Sequence, residues 1–156
     1  MKTLVFTILV PGTVTLLIPY WLLAPGAEFK VAGFRLMGAL PIGLGAIIYF
    51  WCAWDFITVG LGTPAPIDPP KVVVRKGLFR FVRNPMYGGA VLVILGEAML
   101  FGSWRLAGYA LFLCIWFHLF VVYYEEPTLK KKFGAAYEEY CQRVPRWLPR
   151  LGGRGW

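Results

Sequence analysis

Charged residues are scarce in this chain of 156 residues. They make up 15% of it, whereas soluble domains carry roughly 25%. Histidine occurs once, and the three cysteines show no CxxC spacing, so we expect no metal site. Two of the cysteines lie within apolar runs, which also argues against a disulfide framework. No internal repeat or polar linker is evident, which favours a single domain over residues 1–156.

Apolar residues account for 58% of the chain. Crossing a membrane takes about 20 apolar residues, and four runs approach that length: Leu4–Leu23, Leu36–Trp54, Tyr87–Phe101 and Leu106–Tyr124. The third run is the shortest. The first could instead be a signal peptide with Ala24 and Ala27 at its cleavage site, but it is longer than the usual apolar core of such a peptide. The composition therefore predicts an all-α, integral-membrane helical bundle of about four spans.

The 16 lysine and arginine residues are distributed unevenly around these runs. If both termini lie on one side of the membrane, 13 of the basic residues fall on that side and 3 on the other. Because basic residues mark cytoplasmic loops, we predict that both termini and the loop 55–86 face the cytoplasm, in the cell inner membrane. The net charge of +8 is then explained by anionic lipid headgroups, and we expect no nucleic-acid partner.

Two polar clusters flank the last two apolar runs. Arg83 and Asn84-Pro85 precede the third run, and Glu125-Glu126 follows the fourth. Asparagine is a favoured N-cap and proline suits the first helical position, so we expect a helix to begin here with an N-terminus that attracts anions. Alternatively, Asn84-Pro85 only starts a helix and binds no anion. If the two runs form a helical hairpin, the clusters meet at the membrane surface, where polar sites are usually functional.

The single histidine lies inside the fourth run. His118 precedes Glu125 by seven residues, about two turns of an α-helix, and should share a helix face with it. In the hairpin it would face Gly89, beside Gly88, where small residues leave room for a ligand. A hydrogen-bonded packing role is the alternative.

Past the fourth run, apolar residues recur at spacings of three and four, which predicts one amphipathic helix with the stripe Leu129, Phe133, Tyr137, Tyr140 and Val144. Pro145 and Pro149 should end this helix. On the cytoplasmic side it would either lie on the bilayer surface or pack as a lid over the mouth of the bundle. Arg143 and Arg146 stand near its end and would bind lipid phosphates in the first case.

The segment from Gly77 to Tyr87 resembles the signature of the isoprenylcysteine carboxyl methyltransferase and phospholipid methyltransferase superfamily. Glu125-Glu126 and the stripe up to Val144-Pro145 agree with it, so that the resemblance covers about residues 75–149. Asn84 stands where the eukaryotic isoprenylcysteine enzymes carry histidine, which leaves the acceptor open. The resemblance implies a membrane methyltransferase domain that uses S-adenosylmethionine and methylates a carboxylate, amine or thiol of a lipid-like or prenylated acceptor at the cytoplasmic face, among membrane lipids.

The resemblance also implies roles for individual residues. We expect the cofactor to be bound by Arg83, Asn84, Pro85, Tyr87, His118, Glu125 and Glu126. Arg143 and Arg146 are the expected catalytic residues, which would orient an anionic acceptor group or the cofactor carboxylate. One alternative is an NADPH-dependent reductase, because membrane sterol reductases have a similar C-terminal arrangement. The other is a non-catalytic transport or assembly module, although the first two runs lack the charges expected of a transporter.

Overall fold

The computed structural model describes residues 9–23, 36–60 and 72–149. Within these ranges every regular element is a helix and there is no β-strand, which confirms the predicted all-α class. The described helices are α1 (Leu9–Leu22), α2 (Leu36–Val59), α3 (Pro85–Phe101), α4 (Trp104–Phe133) and α5 (Ala135–Arg143). A 3₁₀ turn, Gly77–Arg80, lies between α2 and α3.

Two helices are long and apolar enough to cross a membrane, α2 with 24 residues and α4 with 30. Helix α3 has 17 residues, which is the lower end of the roughly 17–25 that span a bilayer. Helix α1 is also apolar but shorter, and residues 4–8 of the first predicted run lie outside the described residues. Four spans therefore stay a prediction. Large apolar side chains such as Leu40, 72% exposed, face outward as a lipid-facing surface requires.

Helices α2 and α3 pack antiparallel through two pairs of glycines. A Cβ atom added to Gly38 would lie 2.5 Å from the carbonyl oxygen of Gly96. One added to Gly45 would lie 2.5 Å from the carbonyl oxygen of Gly89. Backbones approach this closely only where no side chain intervenes. Gly89 thus faces α2, and the expectation that it faces His118 across the hairpin is wrong.

The hairpin between α3 and α4 turns over two residues, Gly102 and Ser103. Gly102 ends α3 in the left-handed conformation with φ 61°, which glycine adopts without strain. Ser103 caps α4, and its hydroxyl accepts a hydrogen bond from the Leu106 N–H at 3.4 Å. Between the two helices lies a buried core of Ile94, Ala110 and Leu113. The predicted hairpin is therefore observed, and it carries the start of α3 back to the far part of α4.

The C-terminal part differs from the single amphipathic helix that the sequence predicts. Gly134, with φ 55°, separates the end of α4 from α5, because a left-handed residue interrupts the helical backbone. The apolar stripe survives this break. Tyr137, Tyr140 and Val144 form a buried cluster, against which Val73, Leu129 and Phe133 pack. The stripe thus packs on the protein itself, as the lid alternative requires.

Candidate active site

One carboxylate, that of Glu126, holds two arginine side chains. Arg83 Nη1 donates to its Oε1 at 2.8 Å. Arg146 donates twice, from Nε to Oε1 at 2.8 Å and from Nη2 to Oε2 at 2.9 Å. The hydrogen bonds to Glu126 raise the pKa of Arg146. Glu126 is 9% exposed, and a carboxylate at that depth is stable because charged donors offset the loss of hydration.

Backbone contacts join the segment before α3 to the segment after α5. The Arg83 N–H donates to the carbonyl of Pro145 at 2.9 Å. The Asn84 side-chain amide donates to the carbonyl of Arg146 at 3.2 Å. Arg83 Nη1 also lies 2.8 Å from Cys141 Sγ, whereas Arg83 Nε is buried and has no hydrogen-bond partner in the described part of the chain. Arg83 is therefore fixed from two sides and keeps one unused donor.

Helix α3 begins at Pro85, as predicted. Asn84 occupies the N-cap position, but its side chain makes no capping hydrogen bond and reaches Arg146 instead. The capping role expected of Asn84 is therefore wrong, since the tertiary contact replaces the local one. Pro85 is buried and has no N–H to donate. Met86 and Tyr87 follow it in the first helical turn, where backbone donors lack intrahelical partners and favour an anion.

Glu125, the neighbour of Glu126, contacts a residue of α3. The Tyr87 hydroxyl donates to Glu125 Oε2 at 2.7 Å, which joins α3 to α4. The rings of Tyr87 and Phe117 lie 4.7 Å apart. The two neighbouring glutamates therefore make different contacts: Glu125 binds a tyrosine, and Glu126 binds two arginines.

A π-helical turn, Val121–Glu125, explains how both glutamates reach this region. A π turn holds about one residue more than an α turn, which shifts the following side chains by roughly 100° around the helix axis. His118 and Glu125 would share a face in a regular α-helix, but they do not share one across this turn. His118 is exposed, and its Nδ1 accepts a hydrogen bond from Trp147 Nε1 at 3.1 Å. The shared face that the sequence predicts is therefore wrong.

The structure separates the two arginines expected to be catalytic. Arg146 belongs to the buried cluster around Glu126. The Arg143 side chain is 60% exposed and pairs with Glu139 at 2.9 Å, one turn away on α5. Arg143 thus lies on the surface, apart from the cluster.

A cavity of about 290 Å³ opens beside the cluster. Its polar lining includes Arg83, Asn84, Tyr87 and Glu125. A second part of the wall comes from the C-terminal stripe, with Leu129, Phe133, Tyr137 and Tyr140. A third part consists of apolar side chains from α1 and α4, namely Val10, Pro11, Val14, Trp116, Phe117 and Phe120. The cavity wall therefore combines polar side chains with apolar side chains from two apolar helices.

Four of the nine predicted site residues line this cavity, and the other five do not. Glu126 bonds to Arg83, and Arg146 bonds to Glu126, but neither Glu126 nor Arg146 lines the cavity. Pro85, His118 and Arg143 also lie off its wall. The cofactor and catalytic roles of all nine residues stay predictions.

Tyr140 is a site residue whose contact the sequence did not indicate. Its hydroxyl donates to the backbone carbonyl of Phe79 at 2.6 Å, and burial raises the pKa of the phenol. The stripe predicted that Tyr140 is buried, but a pattern of spacing does not reveal a partner 61 residues away. The contribution of α1 to the cavity was missed too, because its uniformly apolar sequence distinguishes no single face.

The residues around the cavity agree with a known family. A profile of the family described as phospholipid methyltransferase matches residues 34–136, well over half of the chain. The chain belongs to this family. Together with its two long apolar helices, membership identifies a membrane protein. The superfamily that the sequence signature resembles is thereby confirmed.

Curated relatives of this family member include enzymes of two named activities. Protein-S-isoprenylcysteine O-methyltransferase B of Arabidopsis thaliana is 32% identical over 78 residues, which are 49% of this chain and 39% of the relative. Protein-S-isoprenylcysteine O-methyltransferase of Schizosaccharomyces pombe is 33% identical over 81 residues, 51% of this chain and 34% of the relative. The Delta(14)-sterol reductase LBR of Gallus gallus is 36% identical over 83 residues, 51% of this chain but 13% of the relative.

The chain thus spans less than half the length of each of these relatives. No solved structure matches the chain.

Proposed function

We propose that the protein transfers a methyl group from S-adenosylmethionine to a lipophilic or amphiphilic acceptor. The observation that carries this proposal is the cavity whose wall combines the polar residues Arg83, Asn84, Tyr87 and Glu125 with apolar side chains of α1 and α4. Three of these four residues lie in or directly before the first turn of α3, and all four lie within the matched family region. Two relatives are named as isoprenylcysteine O-methyltransferases, which supports methyl transfer.

The cavity lining suits the chemical groups of this cofactor. Arg83 has a buried Nε that no other described residue binds, and it lies beside the start of α3, which favours a carboxylate. Glu125 lines the cavity and suits an ammonium or ribose hydroxyls. The rings of Tyr87 and Phe117 offer faces for an adenine or a sulfonium cation.

When bound, the cofactor supplies an electrophilic methyl group on its sulfonium. The protein positions both reactants, and such positioning can lower the activation barrier of methyl transfer by up to about 7–11 kcal/mol. Glu126 holds Arg83 in place from behind the cavity wall. The apolar part of the wall lowers the local polarity, which strengthens the electrostatic contacts made by Arg83 and Glu125.

The part of the wall that α1 and α4 form suits the hydrocarbon or prenyl chain of an acceptor, since it is aromatic and aliphatic. Arg146 is then a positioning residue, because its guanidinium is engaged with Glu126. We place the cavity at the cytoplasmic face of the cell inner membrane, with both termini in the cytoplasm, on the distribution of basic residues.

The experiment is a transfer assay with purified protein in lipid nanodiscs, methyl-labelled S-adenosylmethionine, and fractionated host lipids and thiols. We expect label in an apolar product, and a strong loss of transfer in Glu125→Gln. Glu138→Gln, at an exposed position on α5, is the matched control and should transfer at the parent rate. Absence of transfer to every fraction, together with no cofactor binding, would refute the proposal.

A second candidate is an NADPH-dependent reductase, which is favoured by the 36% identity to the sterol reductase from Gallus gallus. Calorimetric titration of the same purified protein with S-adenosylmethionine and with NADPH separates the two functions. Saturable binding of S-adenosylmethionine alone supports the methyltransferase, and saturable binding of NADPH alone supports the reductase.

A further inference from the structure

A second cleft lies towards the opposite end of α3 from the candidate active site. It has a volume of about 480 Å³ and is formed by α1 and the last turns of α3. Among the residues that the structure describes, its wall is apolar apart from Tyr20 and Glu97; the others are Gly12, Leu16, Leu17, Pro19, Leu23 and Phe101. Glu97 lies twelve residues beyond Pro85, which is about 18 Å along the helix. The cleft is therefore distinct from the first cavity.

Glu97 is the charged residue of this cleft. It is 9% exposed, and its Oε2 is buried without a hydrogen-bond partner among the described residues. None of the ion pairs between described residues includes it. A carboxyl group in apolar surroundings is destabilising unless it is paired, and ionisable groups at membrane depth commonly mark a ligand or ion pathway. Because Glu97 has no partner among the described residues, we infer that a ligand supplies one.

We propose that this cleft binds an amphiphile with a protonated amine, whose ammonium pairs with Glu97. An ammonium group offers three donors and the opposite charge. The tail of the amphiphile lies against Leu16, Leu17 and Phe101, which line the same cleft. Tyr20 also lines the cleft, and its ring presents a face to the cation.

Other ligand classes fit this lining less well. An anionic headgroup would be repelled by the Glu97 carboxylate. A bound divalent cation requires several oxygen ligands, and no group of three or more metal-ligating acidic, cysteine or histidine side chains occurs among the described residues. A long-chain alcohol can donate a hydrogen bond but leaves the charge unpaired.

The test measures binding of tritiated dodecylamine by equilibrium dialysis to the full chain in phosphatidylcholine nanodiscs. We expect one saturable site, weakened about ten- to hundredfold in Glu97→Gln, because one charged hydrogen bond is lost. Leu16→Trp should also weaken binding, since it narrows the cleft without altering the carboxyl group. Dodecanol and dodecanoate should not compete at equal concentration. Glu125→Gln, in the first cavity, should bind the amine like the parent protein.

Two results would overturn the proposal. The first is equal binding of the amine to empty nanodiscs and to nanodiscs that contain the protein, that is, no protein-dependent saturation. The second is equal affinity in the parent protein and in Glu97→Gln.

Discussion

Arg83 and Glu126 are separated by 43 residues in the chain and joined by an ion pair of 2.8 Å. Arg83 precedes α3, whereas Glu126 follows the π turn of α4, so that the pair closes the open end of the hairpin. Both side chains are 11% exposed, and solvent therefore screens the attraction only weakly. Because Arg146 binds the same carboxylate, both arginines depend on Glu126 for their position.

Replacing Glu126 by Gln removes the charge that holds both arginines. We expect affinity for S-adenosylmethionine to fall by about 1.5–3 kcal/mol, which is roughly ten- to hundredfold, because Arg83 loses its charged partner. Calorimetric titration measures this change. Glu139→Gln is the matched control, since its pair with Arg143 is exposed and such pairs contribute little. Parent affinity in a folded Glu126→Gln protein would remove the residue from the site.

The two arginines near the end of α5 should respond differently to the same substitution. Arg146→Lys keeps the charge but loses the planar fork that binds both oxygens of Glu126, and we expect turnover to fall about tenfold or more. Arg143→Lys should leave turnover near the parent value, because its ion pair with Glu139 is exposed. Methyl-transfer rates under saturating cofactor measure both variants. Equal rates for the two would contradict the division of roles between them.

Adjacent glycines of α3 offer a test of the α2–α3 contact. In Gly89→Ala the new Cβ would lie 2.9 Å from the carbonyl oxygen of Gly45, and we expect destabilisation of about 1–3 kcal/mol. In Gly88→Ala the Cβ meets nothing within 4 Å, and alanine favours the helix. Thermal unfolding in detergent should therefore show a lower midpoint for Gly89→Ala alone. A similar loss in both variants would argue against the close contact.

The Tyr140 hydroxyl can be removed without changing the ring. Tyr140→Phe leaves the buried Phe79 carbonyl without its donor, and we expect a loss of about 1–3 kcal/mol in the free energy of unfolding. Tyr123→Phe, at a position 77% exposed, is the control and should have little effect. Denaturant titration of both variants in detergent provides the measurement. If they unfold alike, the hydrogen bond between the 3₁₀ turn and α5 has no net stabilising effect.

Topology is tested independently of the site. The 13 basic residues assigned to one side and 3 to the other predict that a reporter fused after residue 156 lies in the cytoplasm. A reporter near Lys30 should then lie on the opposite side. Reporters that are active only in the cytoplasm or only outside it measure both positions. Both positions on the same side would refute the four-span arrangement.

The amino-acid sequence by itself determined the helical class, the two long apolar helices and the hairpin. Apolar runs of this length leave the backbone no partners but its own, so helices follow from composition. Gly102 and Ser103 end one helix and begin the next through local conformational preferences. The hairpin then brings Arg83 near Glu126 even if its register shifts by a few residues.

The tertiary structure alone decided which of several neighbouring residues reach the cluster around Glu126 and the cavity beside it. The π turn before Glu126 separates His118 from Glu125, although regular spacing would put them on one face. Arg146 rather than Arg143 reaches Glu126, because the chain leaves the helix between them and turns inward. Such choices depend on contacts between residues distant in sequence, and helical periodicity describes only the preferences of each segment on its own.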